Sequence, residues 1–246
     1  MKFNHKMIVE YDGTNFNGWQ IQPGKRTVQG TLQSAISTYT REKISVLGAG
    51  RTDAGVHAIW QVCAFKLSKS HRPADLRFRL NQILPADVKI IKALHADATF
   101  DPRRGATTRT YKYYIAEKPA PLMRHFRYQP GQSLEIRILN RAAALLQGEH
   151  DFTAFCRRKS LKVDNRCRVY LSRWFRYQGA LIYQVTANRF LHHMVRRMVG
   201  GMLAVARSKI SLTQFKRYLN NKDEVRFSVP AAGLILTRVT YGKEPQ

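Results

Sequence analysis

One carboxylate and one guanidinium, Asp53 and Arg51, stand two residues apart inside the segment Leu47-Gly48-Ala49-Gly50-Arg51-Thr52-Asp53-Ala54-Gly55-Val56-His57-Ala58. A neighbouring cation favours the ionised form of an acid, and an ionised Asp can act as nucleophile, base or electrostatic stabiliser. An apolar run from Ile44 to Ala49 leads into the segment and a period-two run from Gln61 to Leu67 leaves it. That pattern predicts strand, tight loop, strand. The three glycines permit a sharp turn and the close approach of a ligand. Two nucleotide-binding signatures nearly fit and both fail. Gly50 and Gly55 have the spacing of a phosphate loop, but Val56-His57 stands where Lys-Ser/Thr is required. Gly48-x-Gly50 opens like a dinucleotide fingerprint, yet Asp53 takes the third glycine position, where a carboxylate repels a pyrophosphate. A bare Asp-Ala-Gly would read as a turn cap and nothing more.

The longer string is more specific. Gly50-Arg51-Thr52-Asp53-Ala54-Gly55-Val56-His57-Ala58 resembles the signature of the tRNA pseudouridine synthase A family, and matching segments recur from Tyr11 to Tyr241. The resemblance implies that Asp53 is the catalytic residue and that Arg51 helps extrude the target nucleotide. Tyr11-Asp12-Gly13 with Phe16-x-Gly18-Trp19-Gln20 resembles the family's opening motif. Arg26-Thr27-Val28-Gln29-Gly30 matches the next, at a helix N-terminus suited to a phosphate, which makes Arg26 and Gln29 candidate RNA contacts. Arg109-x-Tyr111-x-Tyr113 resembles the second motif, whose first Tyr lies against the target base. Tyr111, preferred over Tyr113, would stack on that base and take or relay a proton. Phe190-x-x-x-Met194-Val195-Arg196 resembles the third motif, in which the Arg ion-pairs with the catalytic Asp. Pro230-Ala231-Ala232-Gly233-Leu234-Ile235-Leu236 resembles the segment lining the base pocket, which brings in Leu234; Ile235 stands where an aromatic is common.

What the resemblance implies is an isomerase. It would convert uridine to pseudouridine at positions 38, 39 and 40 in the anticodon stem-loop of tRNA, as a homodimer whose subunits share one tRNA. Its fold would be the α+β pseudouridine synthase fold, a largely antiparallel mixed central sheet flanked by helices and built from two ferredoxin-like halves. The reaction gains or loses no electrons overall and donates no group, so it calls for no cofactor and no metal. Asp53 would attack the sugar C1′ or the base C6, or stabilise charge along a glycal route, and the sequence leaves the three open. The alternatives are a non-catalytic RNA-binding protein or RNA chaperone on the same fold, which would have no reason to keep Asp53, Tyr111 and Arg196 together, and an RNA methyltransferase, which needs a glycine-rich cofactor loop.

Composition supports a polyanionic partner. The chain has 246 residues, with 42 Lys+Arg against 16 Asp+Glu, a net charge of +26. A surface so positive repels itself unless a polyanion binds it. No acidic residue occurs between Asp164 and Asp223, a span holding Arg166, Arg168, Arg173, Arg176, Arg189, Arg196, Arg197 and others. Such a run spread over several elements favours a nucleic-acid groove over a merely solvated face. Three cysteines with no C-x-x-C spacing argue against a disulfide framework or a zinc site and fit a reduced, cytoplasmic setting. Neither a signal peptide nor a membrane span is read from the sequence.

The elements that must position these residues follow from periodicity. Residues 1–106 are expected to form an N-terminal α+β half carrying the Asp53 loop, and 107–246 a C-terminal half carrying Tyr111, Arg196 and Leu234. In the first, strand from Met7, helix from Val28 to Thr40 behind Thr27, strands around the central loop, helix from Pro73 to Leu84 and strand from Val88 to His95 give the order of a split β-α-β unit. Leu76, Leu80, Ile83 and Leu84 would form the second helix's buried side. In the other half, a strand over Arg109 to Ile115 places Tyr111 and Tyr113 on one face. An insertion loop from Ala116 to Ser133 and a helix from Leu134 to Leu146 follow. Gly148 to Phe155 serves capping and packing rather than metal binding, and Arg157 to Arg168 is a basic loop. A hairpin turns at Gln178-Gly179, and a helix opening at Asn188 puts His192 and Arg196 on a common side. Neighbouring His192 and His193 diverge on a helix, so no metal is read there. Ser211 caps a short helix, and a final strand ends near Tyr241.

Overall fold

The computed structural model describes residues 2–131, 133–220 and 224–242, so the ends of the expected halves and one residue of the expected insertion loop lie outside the described residues. The chain divides into two compact units, one of residues up to Thr107 with the strand from Ile235, the other from Thr108 to Leu234.

The first unit runs β1 (Phe3–Tyr11), α1 (Val28–Thr40), β2 (Leu47–Gly48), β3 (His57–Leu67), α2 (Pro73–Ile83) and β4 (Val88–Ala96). Its strands lie in the order β4-β1-β3-β2, all antiparallel, which is the split β-α-β arrangement read from the sequence. Near the start of β3, His57 and Ala58 pair in parallel with Ile235 and Leu236 of the chain's last strand. One sheet face, carrying Met7, Val9, Gln61, Cys63 and Phe65, is buried. The helix α1 starts where Thr27 accepts a hydrogen bond from the Gly30 N–H at 3.3 Å, a cap worth about 1 kcal/mol.

Two expectations for this unit need correction. The run from Ile44 forms only the two-residue β2. Its approach is instead bound by α1 side chains, since Val46 N–H donates to Gln33 Oε1 at 3.0 Å and Val46 O accepts from Gln29 Nε2 at 2.7 Å. Amide side chains thus satisfy backbone groups that a strand partner would otherwise take. Ile83 ends α2 and is 43% exposed, whereas Leu76 and Leu80 are fully buried. The helix stops before a turn toward Pro85, which leaves Ile83 at its rim.

The second unit contains most of β5 (Ala106–Ala116), α3 (Ile136–Ala144), β6 (Gly148–Asp151), β7 (Arg166–Tyr177), β8 (Ala180–Ala187), α4 (Met194–Ala206) and α5 (Leu212–Leu219). Four strands lie in the order β5-β8-β7-β6, antiparallel throughout. Gln178 and Gly179 both have positive φ, 48° and 68°, and make the tight hairpin turn between β7 and β8. A register shift between Val169 and Leu171 reverses which parity of β7 faces inward: Cys167 and Val169 are buried before it, Ser172 and Trp174 after it. Asp151 Oδ1 accepts the Thr153 N–H at 2.8 Å and Phe152 and Phe155 are fully buried, so this stretch does cap and pack. Ser211 and Gln214 form a complete capping box at α5. The last strand, β9, spans Leu234–Tyr241.

The helix expected from Asn188 begins only at Met194. Before it, Asn188 Oδ1 accepts N–H groups of Arg168 at 2.9 Å and Arg189 at 2.7 Å, and Arg157 N–H donates to His192 O at 3.1 Å. These bonds compete with helix formation. His192 therefore lies outside the helix and shares no helical face with Arg196.

Candidate active site

In the first unit, the loop between β2 and β3 carries Asp53, which is half-buried. Its backbone is fixed on three sides. Val56 N–H donates to Asp53 O at 3.2 Å and closes the turn; Trp19 N–H donates to Thr52 O at 3.0 Å; Gly55 N–H donates to Phe16 O at 3.2 Å. Gly55, at φ 76°, has the left-handed conformation that the turn demands. Gly50 has an unexceptional φ and open space about it, so that glycine is not required by the turn. Gly18, at φ 85°, lies so close beneath the loop that a Cβ there would sit 2.6 Å from Thr52 O.

A buried polar network underlies the same loop. The Tyr11 and Thr52 hydroxyls are 2.8 Å apart, and Gln61 Nε2 donates to Gly50 O at 2.9 Å and lies 3.5 Å from the Tyr11 hydroxyl. Burial raises the Tyr11 phenol, only partly offset by its bonds to Thr52 and Gln61, so it remains neutral and able to donate. His57 Nδ1 receives the Gly13 N–H at 3.0 Å and also lies 3.0 Å from Asp12 Oδ1. A single protonation state cannot make both contacts: the neutral nitrogen accepts from Gly13, the protonated one faces Asp12. Burial works to raise the Asp12 carboxyl, but bonds from Thr14 and the adjacent His57 hold it below its ordinary value.

Of the candidate RNA contacts here, Arg51 is exposed. Arg26 makes a two-pronged ion pair with Asp87, at 2.7 and 2.8 Å, and stacks 3.9 Å over the Phe16 ring. Gln29 uses both ends of its amide within the fold, accepting from Ile21 N–H at 3.0 Å and donating to Val46 O.

In the second unit, Tyr111 and Tyr113 share the inward face of β5. Tyr111 is 7% exposed and its ring meets Phe190 edge-on with centroids 5.1 Å apart. Tyr113 is fully buried and its hydroxyl donates to Pro230 O at 2.9 Å. Burial, and then the Tyr128 phenol, raise the Tyr113 phenol, against an opposing pull from Arg196. Arg196 occupies the first turn of α4; its Nε donates to Val229 O at 2.9 Å. Arg196 and Tyr113 thus both grip the Val229-Pro230 stretch that precedes Leu234, itself buried. The start of α4 breaks local rules. His193 is left-handed at φ 67°, no side chain caps the helix, and the first turn holds no acid. Arg196 and Arg197 there oppose the helix dipole. Arg197 recovers part of that cost by donating to Cys156 O at 2.8 Å. Local conflict of this kind gathers where function constrains the sequence.

Phe190, Tyr113 and Gln61 were not assigned these roles from sequence. Gln61 left a signal, a polar residue on the apolar face of an alternating strand, and Phe190 stands at the head of the third motif; the Tyr113 hydroxyl bond left none.

The description "tRNA pseudouridine synthase" belongs to a family model that matches residues 7–103 and 142–242. The chain belongs to the tRNA pseudouridine synthase family. Among curated members called tRNA pseudouridine synthase A, that of Chlorobium chlorochromatii is 39% identical over 96% of this chain and 98% of its own length. The Porphyromonas gingivalis protein is 39% identical over 96% of each chain, and that of Dictyoglomus thermophilum 40% over 97% of this chain and 99% of its own. A chain in the crystal structure of a Cbf5-Nop10-Gar1 complex is similar over 95% of this chain and 58% of that one, at 11% identity and a TM-score of 0.34, too low to bear on the argument. Within this pseudouridine synthase chain, Asp53, Arg196 and Leu234 fall inside the matched segments, whereas Tyr111 falls between them. All three cysteines are free and buried. No helix among the described residues is long and apolar enough to cross a membrane.

Proposed function

We propose that this protein isomerises uridine to pseudouridine in tRNA, with Asp53 as the nucleophilic carboxylate. The observation that carries the reading is near-complete coverage by relatives named for that activity, at 39 and 40% identity. The bond from uracil N1 to C1′ breaks, the base turns, and C5 bonds to C1′; the C5 proton leaves to solvent and N1 gains one. No electrons enter or leave. Asp53 acts where cation-like character develops, as the nucleophilic carboxylate of retaining glycosidases does. Arg196 keeps it ionised and oriented. Tyr111 stacks on the base and moves a proton; that Tyr113 spends its hydroxyl on Pro230 supports giving this role to Tyr111. Arg51 takes the space of the flipped nucleotide. Leu234 lines the base pocket, while Arg26 and Gln29 serve the RNA by holding the loops around them. The work divides between an N-terminal half, 1–106, with Asp53, Arg51, Arg26 and Gln29, and a C-terminal half, 107–246, with Tyr111, Arg196 and Leu234. The target is the anticodon stem-loop at positions 38, 39 and 40, the acting form is a homodimer, and the place is the cytoplasm, in keeping with the free thiols.

Tritium release from tRNA carrying 5-³H-uridine tests this. Asp53→Asn should release none above background yet bind tRNA as the wild type does. Turnover by the variant at the wild-type rate refutes the assignment. Affinity for tRNA should fall steeply from low to physiological salt through counterion release, and a flat response would remove the basic groove from the account.

A further inference from the structure

Of the three tryptophans, Trp19 and Trp174 are 2% and 3% exposed, but Trp60 is 38% exposed and its neighbour Ile59 45%. Two adjacent large apolar residues in one strand ordinarily point to opposite faces, and one of them is buried. Here a bulge frees both. The β1–β3 register is Val9 to Gln61 and then Tyr11 to Ala58, so Ile59 and Trp60 together oppose Glu10. Bulges re-aim side chains and are enriched beside active sites.

The partner on the other edge gives the position its meaning. β2 pairs Leu47 with Ala64 and Gly48 with Cys63, and Ala49 N–H donates to Val62 O at 2.8 Å. Next along the loop, Gln61 Nε2 donates to Gly50 O at 2.9 Å, so Trp60 and Arg51 are the chain neighbours of a bonded pair, and both are exposed. Across the bulge stands Glu10, which is paired in register with Lys89. An exposed indole and an exposed guanidinium on either side of that bond, on a chain of net charge +26, fit a nucleobase whose phosphates are met by cations. A second copy of this chain, carrying the same positive charge, is a poorer electrostatic match.

We infer that Trp60 is an RNA-stacking platform next to the Asp53 loop, taking an unpaired or extruded nucleobase of the substrate against its ring while Arg51 contacts the adjoining backbone or base. The inference rests on the proposed tRNA substrate and extends it by a residue outside the motif string. It touches RNA and takes no part in the bond changes.

Intrinsic fluorescence reads it directly, because the other two indoles are buried. Titration of the wild type with an in vitro transcribed tRNA should quench the exposed component and shield it from acrylamide. Trp60→Phe should lose that signal while binding tRNA within a few-fold of wild type by filter retention. Trp60→Ala should bind roughly tenfold more weakly, the scale of one lost stacking contact. Trp60→Ala binding at wild-type affinity, or quenching that persists in Trp60→Phe, overturns the inference while tritium release continues and the enzyme reading stands. Acrylamide shielding that grows with protein concentration in the absence of RNA overturns it in favour of a second copy. Wild type that neither binds tRNA nor releases tritium overturns the enzyme reading and this inference together.

Discussion

The Asp53 loop and the first turn of α4 each present a charged group for the proposed chemistry, and they hold it by opposite means. The Asp53 loop is fixed from outside. Neighbouring backbone presses on it at Gly18, strand side chains Tyr11 and Gln61 bond beneath it, and its own conformation needs one left-handed glycine. Arg196 instead stands on a regular helix whose start is uncapped, left-handed at His193 and electrostatically unfavourable. What fixes it is a side-chain bond to Val229 O. The acid is thus held through the backbone of its loop, the cation through its own side chain, and both depend on residues distant in sequence.

Substitutions should separate the two. Arg196→Lys keeps the charge but not the planar fork, so kcat should fall by roughly a hundredfold, the scale of a lost preorganised donor, with tRNA affinity little changed. A variant with near wild-type kcat would mean that charge alone suffices. Gly18→Ala forces a Cβ to within 2.6 Å of Thr52 O at a positive φ. The cost, roughly 3 kcal/mol, falls on the Asp53 loop, so tritium release should drop even at temperatures where circular dichroism still shows a folded protein. Gly201→Ala, within α4, meets the buried Phe215 ring at 2.6 Å. It should lower the melting temperature by several degrees and leave kcat at low temperature within about twofold, because the first turn of the helix is untouched. Equal kinetic losses in the two glycine variants would erase the distinction. Tyr11→Phe removes the hydroxyl shared with Thr52 and should cost about 1 kcal/mol, with a smaller kinetic loss than Gly18→Ala.

A last effect shows only in acid. His5 is fully buried in the first unit, and neither ring nitrogen has a hydrogen-bond partner among the described residues. Burial foremost, then His95 and His71, push it from 6.5 down to about 4. Its folded value lies below its unfolded one, so the unfolded chain binds more protons between them and stability falls as pH drops from 6.5 to 4. His5→Phe, which keeps an aromatic ring against Phe65, should flatten the melting temperature across that window. An unchanged slope would show that other groups set the acid response.

Much of the frame was legible in the residues. The stripe Val28, Leu32, Ala35, Ile36 behind Thr27 marked α1 to the residue, Ser211 marked α5, and Gln178-Gly179 marked the hairpin. These are signals of local geometry, complete within a few neighbours. Ile83 failed because α2 ends there; two other failures share a cause. Ile44 to Val46 and Asn188 to His193 both had an apolar or helical pattern, and in both the backbone bonds went to partners far along the chain, Gln29 and Gln33 in one, Arg157 and Arg168 in the other.

The sequence by itself determined which residue types were available for the reaction, the charge that calls for a polyanion, and the family. Only the tertiary structure decided that Gln29 and Arg26 are committed to the fold, that Tyr113 rather than Tyr111 holds Pro230, and that Trp60 faces outward. Each of those outcomes depends on a hydrogen bond, a ring contact or a strand register between residues well separated along the chain. Propensity and periodicity act over a few residues and carry no information about such partners.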